Sequence, residues 1–221
     1  MENQTLVSAS TLGCTKINMA SIFEPSKSGD TGTTMSLGKR VSKKSKSVKL
    51  AGQIDSLQAE FGQLHANILS GLSIYETTIA SIYGTYSTGY ANILPVLAHI
   101  INDLYNINSI LWSPKSVKFS VDNLDNLLTQ LTFEVPNGFQ LPVYSNPIIA
   151  KMNCLRTKTR EVEICLIKFM DSSENLDCSG IQRDLLQQAL MYLNRLSSVM
   201  YAMTNHYDSD KPILAGNTNT D

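Results

Sequence analysis

The sequence predicts an α+β fold that is predominantly α, in which a long helical hairpin and a C-terminal helix pack with a small antiparallel β-sheet. Three observations predict it. Large apolar residues recur every seven positions from 54 to 82, apolar and polar residues alternate around 162–166, and three apolar stripes share one helix at 179–205. The chain has 221 residues, of which 43% are hydrophobic, so it can bury one good core or two small ones.

The first 47 residues are rich in serine, threonine, glycine and lysine, which predicts a disordered basic arm. Residues 1–50 carry eight cations against three acids, whereas the rest of the chain carries ten cations against sixteen acids. The run at the end of the arm suits phosphate backbones, anionic lipid headgroups or nuclear import; a solubilising tail is the alternative. Its predicted anion-binding residues are Lys39, Arg40, Lys43, Lys44, Lys46 and Lys49. Phosphorylation of Ser42, Ser45 or Ser47 would largely neutralise this charge.

The heptad repeat predicts a first helix over residues 53–83, and a second helix that ends near Trp112 completes a helical hairpin at 53–112. Between Ala51 and Pro114 there is no lysine or arginine, so we expect the hairpin to be covered. The cover is either the rest of the same chain or a second copy, and insertion into a membrane is a third alternative. The predicted self-association residues are Ile54, Phe61, Ile68, Tyr75, Ile82 and the polar seam residue Asn108.

A mixed β region is predicted at 115–170, with a strand at 117–121, a short helix that carries Leu124 and its leucine neighbours, and a longer strand at 155–169. In that longer strand three cations at alternating positions would share one face. They are a second candidate anion contact, or a solvated edge that deters aggregation. These residues are Arg156, Lys158 and Arg160.

A last helix is predicted at 179–205, where Ser179 and Gln182 have the spacing of a capping box. Residues 208–221 are polar and predict a disordered tail. The predicted organisation is therefore an arm at 1–47, one α+β domain at 48–207 and a tail.

The sequence contains no recognisable catalytic or metal-binding motif, and no cofactor or metal is predicted. The four cysteines lack C-x-x-C spacing, which favours reduced thiols in the cytoplasm or nucleus. No window is apolar enough to predict a membrane span, and no secretory signal is predicted. A concave polar pocket around His99 or His206 would instead indicate a small enzyme.

The segment from Gly38-Lys39-Arg40 to Lys49, placed ahead of a charge-poor body, resembles in layout the viral matrix proteins, including those of rhabdoviruses. This resemblance implies a virion-associated structural protein that is not an enzyme and has no small-molecule substrate. Such a protein forms homo-oligomers through its body and contacts nucleic acid, nucleoprotein or an anionic membrane through its arm. The alternative hypothesis is a helical adaptor that binds a partner helix beside residues 54–82 and uses the arm for nuclear localisation.

Overall fold

The computed structural model describes residues 27–75, 88–112, 117–131, 141–144, 146–207 and 213–215. Within them lie five α-helices and four short strands. The helices are α1 (Lys46–Tyr75), α2 (Leu94–Ser109), α3 (Val121–Gln130), α4 (Pro147–Met170) and α5 (Gly180–Tyr207). The strands are β1 (Thr33–Ser36), β2 (Lys39–Ser42), β3 (Leu141–Val143) and β4 (Ile213–Ala215). The predicted predominance of α-helix with a small antiparallel β component is confirmed for these residues.

Helix α1 is central to the bundle because it packs against both α2 and α4. Its heptad residues Ile54, Phe61 and Ile68 are buried, as are Leu57 and Leu64. These side chains are covered by helices of the same chain, which was one of the predicted alternatives. The rest of the bundle is built by α4 against α5 and by α3 against α5.

Helix α2 begins beside Pro95, which occupies its first turn, where a proline costs no backbone hydrogen bond. The stretch expected to separate the two hairpin helices lies mostly outside the described residues, as does Ile82. Residues 117–120 are not a strand, so the strand predicted at 117–121 is wrong. Instead Ser120 caps α3: its hydroxyl accepts the Asn123 N–H at 3.3 Å.

The strand predicted at 155–169 is also wrong, because these residues belong to helix α4. The alternation that suggested a strand covers five positions, whereas the buried residues of α4 keep a helical spacing over its whole length. They are Ile149, Met152, Leu155, Thr159, Val162, Leu166 and Phe169. The Asn146 side chain caps this helix by accepting the Ile148 N–H at 2.9 Å.

Helix α5 closely matches its predicted bounds, and the predicted capping box is confirmed. The Ser179 hydroxyl accepts the Gln182 N–H at 3.2 Å, and the Gln182 side chain accepts the Ser179 N–H at 3.0 Å. The Gln182 amide also donates to the Ile110 carbonyl at 2.9 Å, which ties α5 to the end of α2. Tyr192, near the middle of α5, is fully buried.

Two short antiparallel strand pairs include segments that were predicted to be disordered. Strands β1 and β2 pair antiparallel, with Thr33 opposite Ser42 and Ser36 opposite Lys39, so from residue 27 onward the arm is not disordered. Residues 1–26 lie outside the described part of the chain. Strand β4 pairs antiparallel with β3, so the tail is ordered at 213–215. In the part of the chain that the structure describes, no helix combines the length and apolarity needed to cross a membrane.

Candidate functional site

The basic run and the residues before it form one structural unit, which we call the glycine-rich hairpin (residues 27–43). It begins with a single helical turn at Lys27–Gly29 and continues through β1 and β2. Leu37 and Gly38 connect the strands with φ angles of 54° and 74°, as a type I′ turn requires. The Leu37 N–H donates to the Leu111 carbonyl at 2.8 Å, which attaches the tip of the hairpin to the end of α2.

The loop ahead of β1 is held by backbone hydrogen bonds around Gly32. The Gly32 N–H donates to the Gly29 carbonyl at 3.1 Å, and the Gly32 carbonyl accepts the Lys43 N–H at 2.9 Å. Gly32 has a φ of 73°, in the left-handed region where residues with a Cβ are strained. The two strand ends are therefore joined through a backbone conformation that favours glycine.

Arg40 fixes the same loop with its side chain. Its Nε donates to Thr33 Oγ1 at 2.9 Å, and its Nη2 donates to the Ser28 carbonyl. Thr33 Oγ1 in turn lies 3.1 Å from Thr31 Oγ1. The guanidinium thus holds β1 and the preceding loop together while adding a positive charge beside two hydroxyl groups.

Gly29 lets a lysine approach the loop closely. A Cβ placed on Gly29 would lie 3.0 Å from the Lys43 ammonium nitrogen, tighter than nine in ten real contacts of a Cβ. The exposed Lys43 ammonium therefore rests on a glycine, with Lys27 exposed at the start of the same loop. Ammonium and hydroxyl groups around a glycine-rich turn are the chemistry that binds a phosphate chain.

The remaining cations predicted to bind anions divide between two places. Lys44 lies in the turn after β2, and Lys46 and Lys49 lie in the first turn of α1, all three exposed. The other predicted group belongs to α4 and not to a strand, so Arg156 and Arg160 share a helix face while Lys158 points elsewhere. Two of its members have local partners: Arg156 Nε donates to Asn153 at 2.9 Å, and Lys158 lies 3.4 Å from Glu161.

The predicted self-association residues lie mostly in the protein's own core. Ile54, Phe61 and Ile68 are at most 1% exposed, and the Asn108 amide donates to Asp55 of α1. Tyr75 is the last residue of α1, and its side chain lies outside the described atoms. Self-association through these positions stays a prediction.

A cavity lies beside each of the two histidines, His99 and His206, at which a pocket would indicate an enzyme. One of about 330 Å³ lies between α2, α3 and α5 and is lined by His99, Asp103 and Tyr192; another of about 220 Å³ is lined by His206. Burial raises the pKa of the Asp103 carboxyl, although Tyr192, His99 and the Ser120 backbone act in the opposite direction. Burial, followed by the neighbouring Asp103, raises the pKa of Tyr192. Among the described residues, no group of three or more His, Cys, Asp and Glu side chains can hold a metal ion.

Sequence reasoning missed the glycines and the first lysine of the site. The stretch Lys27-Ser28-Gly29-Asp30-Thr31-Gly32 places two glycines beside a lysine and hydroxyl residues, a composition typical of turns that approach anions closely. Its low hydrophobicity predicted disorder. The glycine spacing beside the basic run was the signal that could have identified it.

Comparison with known proteins identifies the family. The model of the cobalamin adenosyltransferase family matches residues 25–207, which include the glycine-rich hairpin and all five helices. No curated protein matches the chain.

Solved structures of PduO-type ATP:corrinoid adenosyltransferase variants from Lactobacillus reuteri have the same fold. A complex with ATP has a TM-score of 0.66 and 20% identity and covers 87% of this chain and 99% of that one. A complex with cobalamin and ATP has a TM-score of 0.65 and 19% identity, with the same coverage.

These findings overturn the functional expectations from the sequence. The resemblance to viral matrix proteins is wrong, and so are the virion-associated structural role and the conclusion that the protein is not an enzyme. The adaptor hypothesis finds no support either. The exclusion of small-molecule substrates is wrong because the matching enzyme structures hold ATP and cobalamin. With a family model that matches residues 25–207 of its 221, the chain belongs to the cobalamin adenosyltransferase family.

Proposed function

We propose that the protein transfers the adenosyl group of ATP to the cobalt of a reduced corrinoid. The observation that carries this proposal is that the family match includes the glycine-rich hairpin, where exposed cations and hydroxyls surround a glycine turn. The neighbouring enzymes whose structures hold ATP, or cobalamin and ATP, support the same pair of substrates.

The reaction named by the family is a substitution at the 5′ carbon of ATP. The Co(I) centre supplies the electron pair of the new Co–C bond and is formally oxidised to Co(III). The bond between that carbon and its oxygen breaks, and triphosphate leaves with the electron pair. An enzyme for this step must hold the triphosphate and stabilise the negative charge that develops on it.

The glycine-rich hairpin supplies the groups for this task. The Lys43 ammonium lies against Gly29, so a phosphate can approach the ammonium and the loop backbone together. The hydroxyls of Thr31 and Thr33 lie on the same loop and are oriented by Arg40. Because Arg40 and the Gly32 hydrogen bonds already fix this loop, little ordering cost remains for substrate binding.

The direct test is an anaerobic assay with ATP and a corrinoid that has been chemically reduced to Co(I). We expect the Co(I) absorbance to disappear as a photolabile adenosylcorrinoid forms, with one triphosphate released for each adenosyl group transferred. Release of single phosphate or of diphosphate from ATP without a Co–C product would refute the proposal.

A pair of lysine variants tests the assignment of the hairpin. Lys43→Ala removes a charged hydrogen bond to phosphate, which contributes about 1.5–3 kcal/mol, so the KM for ATP should rise at least tenfold. Lys118→Ala removes an exposed lysine just before α3 and serves as the matched control. An equal effect of both substitutions would show that only the overall charge matters and would place the triphosphate elsewhere.

A further inference from the structure

A short turn between α4 and α5 holds the glycine-rich hairpin from the opposite end of the sequence. This acidic turn (Ser173–Asp177) carries Glu174 and Asp177. Each of these acids contacts a different part of the segment that runs from β2 into α1. The arrangement joins residues that are more than 120 positions apart, so it is a tertiary contact and not local capping.

Glu174 closes the beginning of α1. Its two carboxylate oxygens accept the backbone N–H groups of Lys46 at 2.8 Å and of Ser47 at 3.0 Å. Partial burial acts to raise the pKa of this carboxyl, but the hydrogen bonds and the charge of Lys46 together lower it below its ordinary value. Glu174 is therefore an ionised cap supplied by a distant part of the chain.

Asp177 holds the other end of β2. Its Oδ2 lies 2.6 Å from the Lys39 ammonium nitrogen, with both side chains about half exposed. Between the two contacts lies a cavity of about 340 Å³, lined by Arg40 and Ser42 of the hairpin and by Ser45, which follows it. The acidic turn thus contacts the basic run at Lys39 and at Lys46 and leaves Lys43 between them exposed.

The position of Glu174 decides where a phosphate chain can bind. The N-terminus of a helix carries a partial positive charge and attracts anions. In α1 the backbone N–H groups at that position already donate to the Glu174 carboxylate, which leaves the loop at Gly29 and Lys43 as the open cationic surface. The same two hydrogen bonds fix the direction in which the chain leaves β2 and enters α1.

We infer that Glu174 is a positioning residue for the nucleotide: it fixes the glycine-rich hairpin on the helical body and directs the triphosphate to the glycine loop. This role rests on the proposed function, because it assumes that the hairpin binds ATP. It predicts that loss of the Glu174 charge weakens nucleotide binding far more than it slows adenosyl transfer once ATP is bound.

The test compares Glu174→Gln with Asp184→Asn, which removes an exposed acid from α5 and changes the net charge equally. Binding of ATP and of inorganic triphosphate is measured by calorimetry without corrinoid. We expect the Kd of both ligands to rise about tenfold in the Glu174 variant, because a hairpin that has lost its charged anchor must be ordered when the ligand binds, and to change less than twofold in the control. At saturating ATP, the rate of adenosyl transfer should stay within about threefold of that of the unmodified protein.

Several outcomes would overturn the inference. An unchanged Kd in Glu174→Gln would do so, and so would a fall in kcat with an unchanged KM, which would give Glu174 a part in the chemical step. Circular dichroism checks that the variant folds. If it does not, Asp177→Asn tests the second contact of the same turn: a Kd raised about threefold supports the inference, and an unchanged Kd overturns it.

The experiment separates this inference from the proposed function. If the unmodified protein binds ATP but does not form an adenosylcorrinoid, the proposed function fails, while the ratio of the two Kd values still decides for or against Glu174. If it binds neither ATP nor triphosphate, both are refuted.

Discussion

Replacing Gly32 by alanine tests whether the glycine loop depends on its unusual backbone conformation. Gly32 has a φ of 73°, and a Cβ built on it meets no atom within 4 Å. The substitution therefore creates no steric clash with other residues, and its cost is conformational. Relaxing φ would break the hydrogen bonds of Gly32 to Gly29 and Lys43, so we expect the loop to retain the strained conformation.

The expected magnitude follows from two opposing effects. An alanine in the left-handed region costs roughly 1–2 kcal/mol. Alanine also restricts the unfolded chain, which offsets about 0.4–1 kcal/mol of this cost. The net effect is a loss of about 1 kcal/mol in the free energy of unfolding.

Urea denaturation followed by circular dichroism measures this loss, with Gly52→Ala as the matched control. Gly52 is exposed within α1, and its added Cβ also meets no atom within 4 Å. In a helix interior the alanine should stabilise the protein by about 0.5–1 kcal/mol. If the Gly32 variant proves as stable as the Gly52 variant, the loop does not impose the left-handed conformation and the reasoning fails.

Three further predictions concern the hairpin, a helix cap and a buried acid. Gly29→Ala displaces only the flexible end of Lys43, so the free energy of unfolding should change by less than about 0.5 kcal/mol. The Kd for ATP, measured by calorimetry, should rise about fivefold, and an unchanged Kd would contradict this prediction. Asn146→Ala removes the cap of α4 and should lower the free energy of unfolding in urea by about 1 kcal/mol, and no loss would argue against a cap there. Because the pKa of Asp103 is raised, its contribution to stability is greatest below the unfolded pKa and is lost as pH rises through the folded pKa. The stability of the unmodified protein relative to Asp103→Asn should therefore fall as the pH rises above the ordinary carboxyl pKa of about 4, and a difference that grows with pH would refute the sign.

The helices with the strongest local signals could be predicted from sequence. In α5 three apolar stripes and a capping box agree, and Ser179 and Gln182 form the predicted reciprocal hydrogen bonds. In α1 the heptad repeat identified the buried face correctly at Ile54, Phe61 and Ile68. It could not say whether the seam faces the same chain or another copy, because both arrangements require the same apolar stripe.

Helix α4 was missed because a short pattern competed with a long one. Val162, Ile164 and Leu166 alternate as in a strand, yet Ile164 is half exposed whereas Val162 and Leu166 are buried. The residues buried along the whole helix are three or four positions apart, and this spacing appears only over a window of about twenty residues. Thr159, a polar residue inside that stripe, weakened the apolar pattern; in the structure its hydroxyl donates to the Leu155 carbonyl at 2.8 Å.

The cations of the candidate site could be predicted because a local concentration of charge is visible in the sequence. The cations at Lys39, Arg40 and Lys43 were assigned to anion binding on charge density alone, and the structure places them on one hairpin with the glycine loop. The sequence could not predict that the hairpin is ordered, because the hairpin has few apolar residues of its own. It is held by contacts that sequence periodicity does not report, such as those of Leu37 with Leu111 and of Glu174 with α1.

Charge balance explains why a segment so basic can be folded and still keep an open cationic surface. Between Lys27 and Lys49 there are seven cations and one acid, Asp30. The acidic turn adds two carboxylates, so four positive charges remain in excess. These carboxylates lie against Lys39 and the start of α1. The repulsion within the hairpin is thereby reduced where the chain is anchored, while Lys43 and the glycine loop keep their positive potential. A triphosphate, with several negative charges, matches the excess that remains, so its affinity for the hairpin should fall steeply with ionic strength.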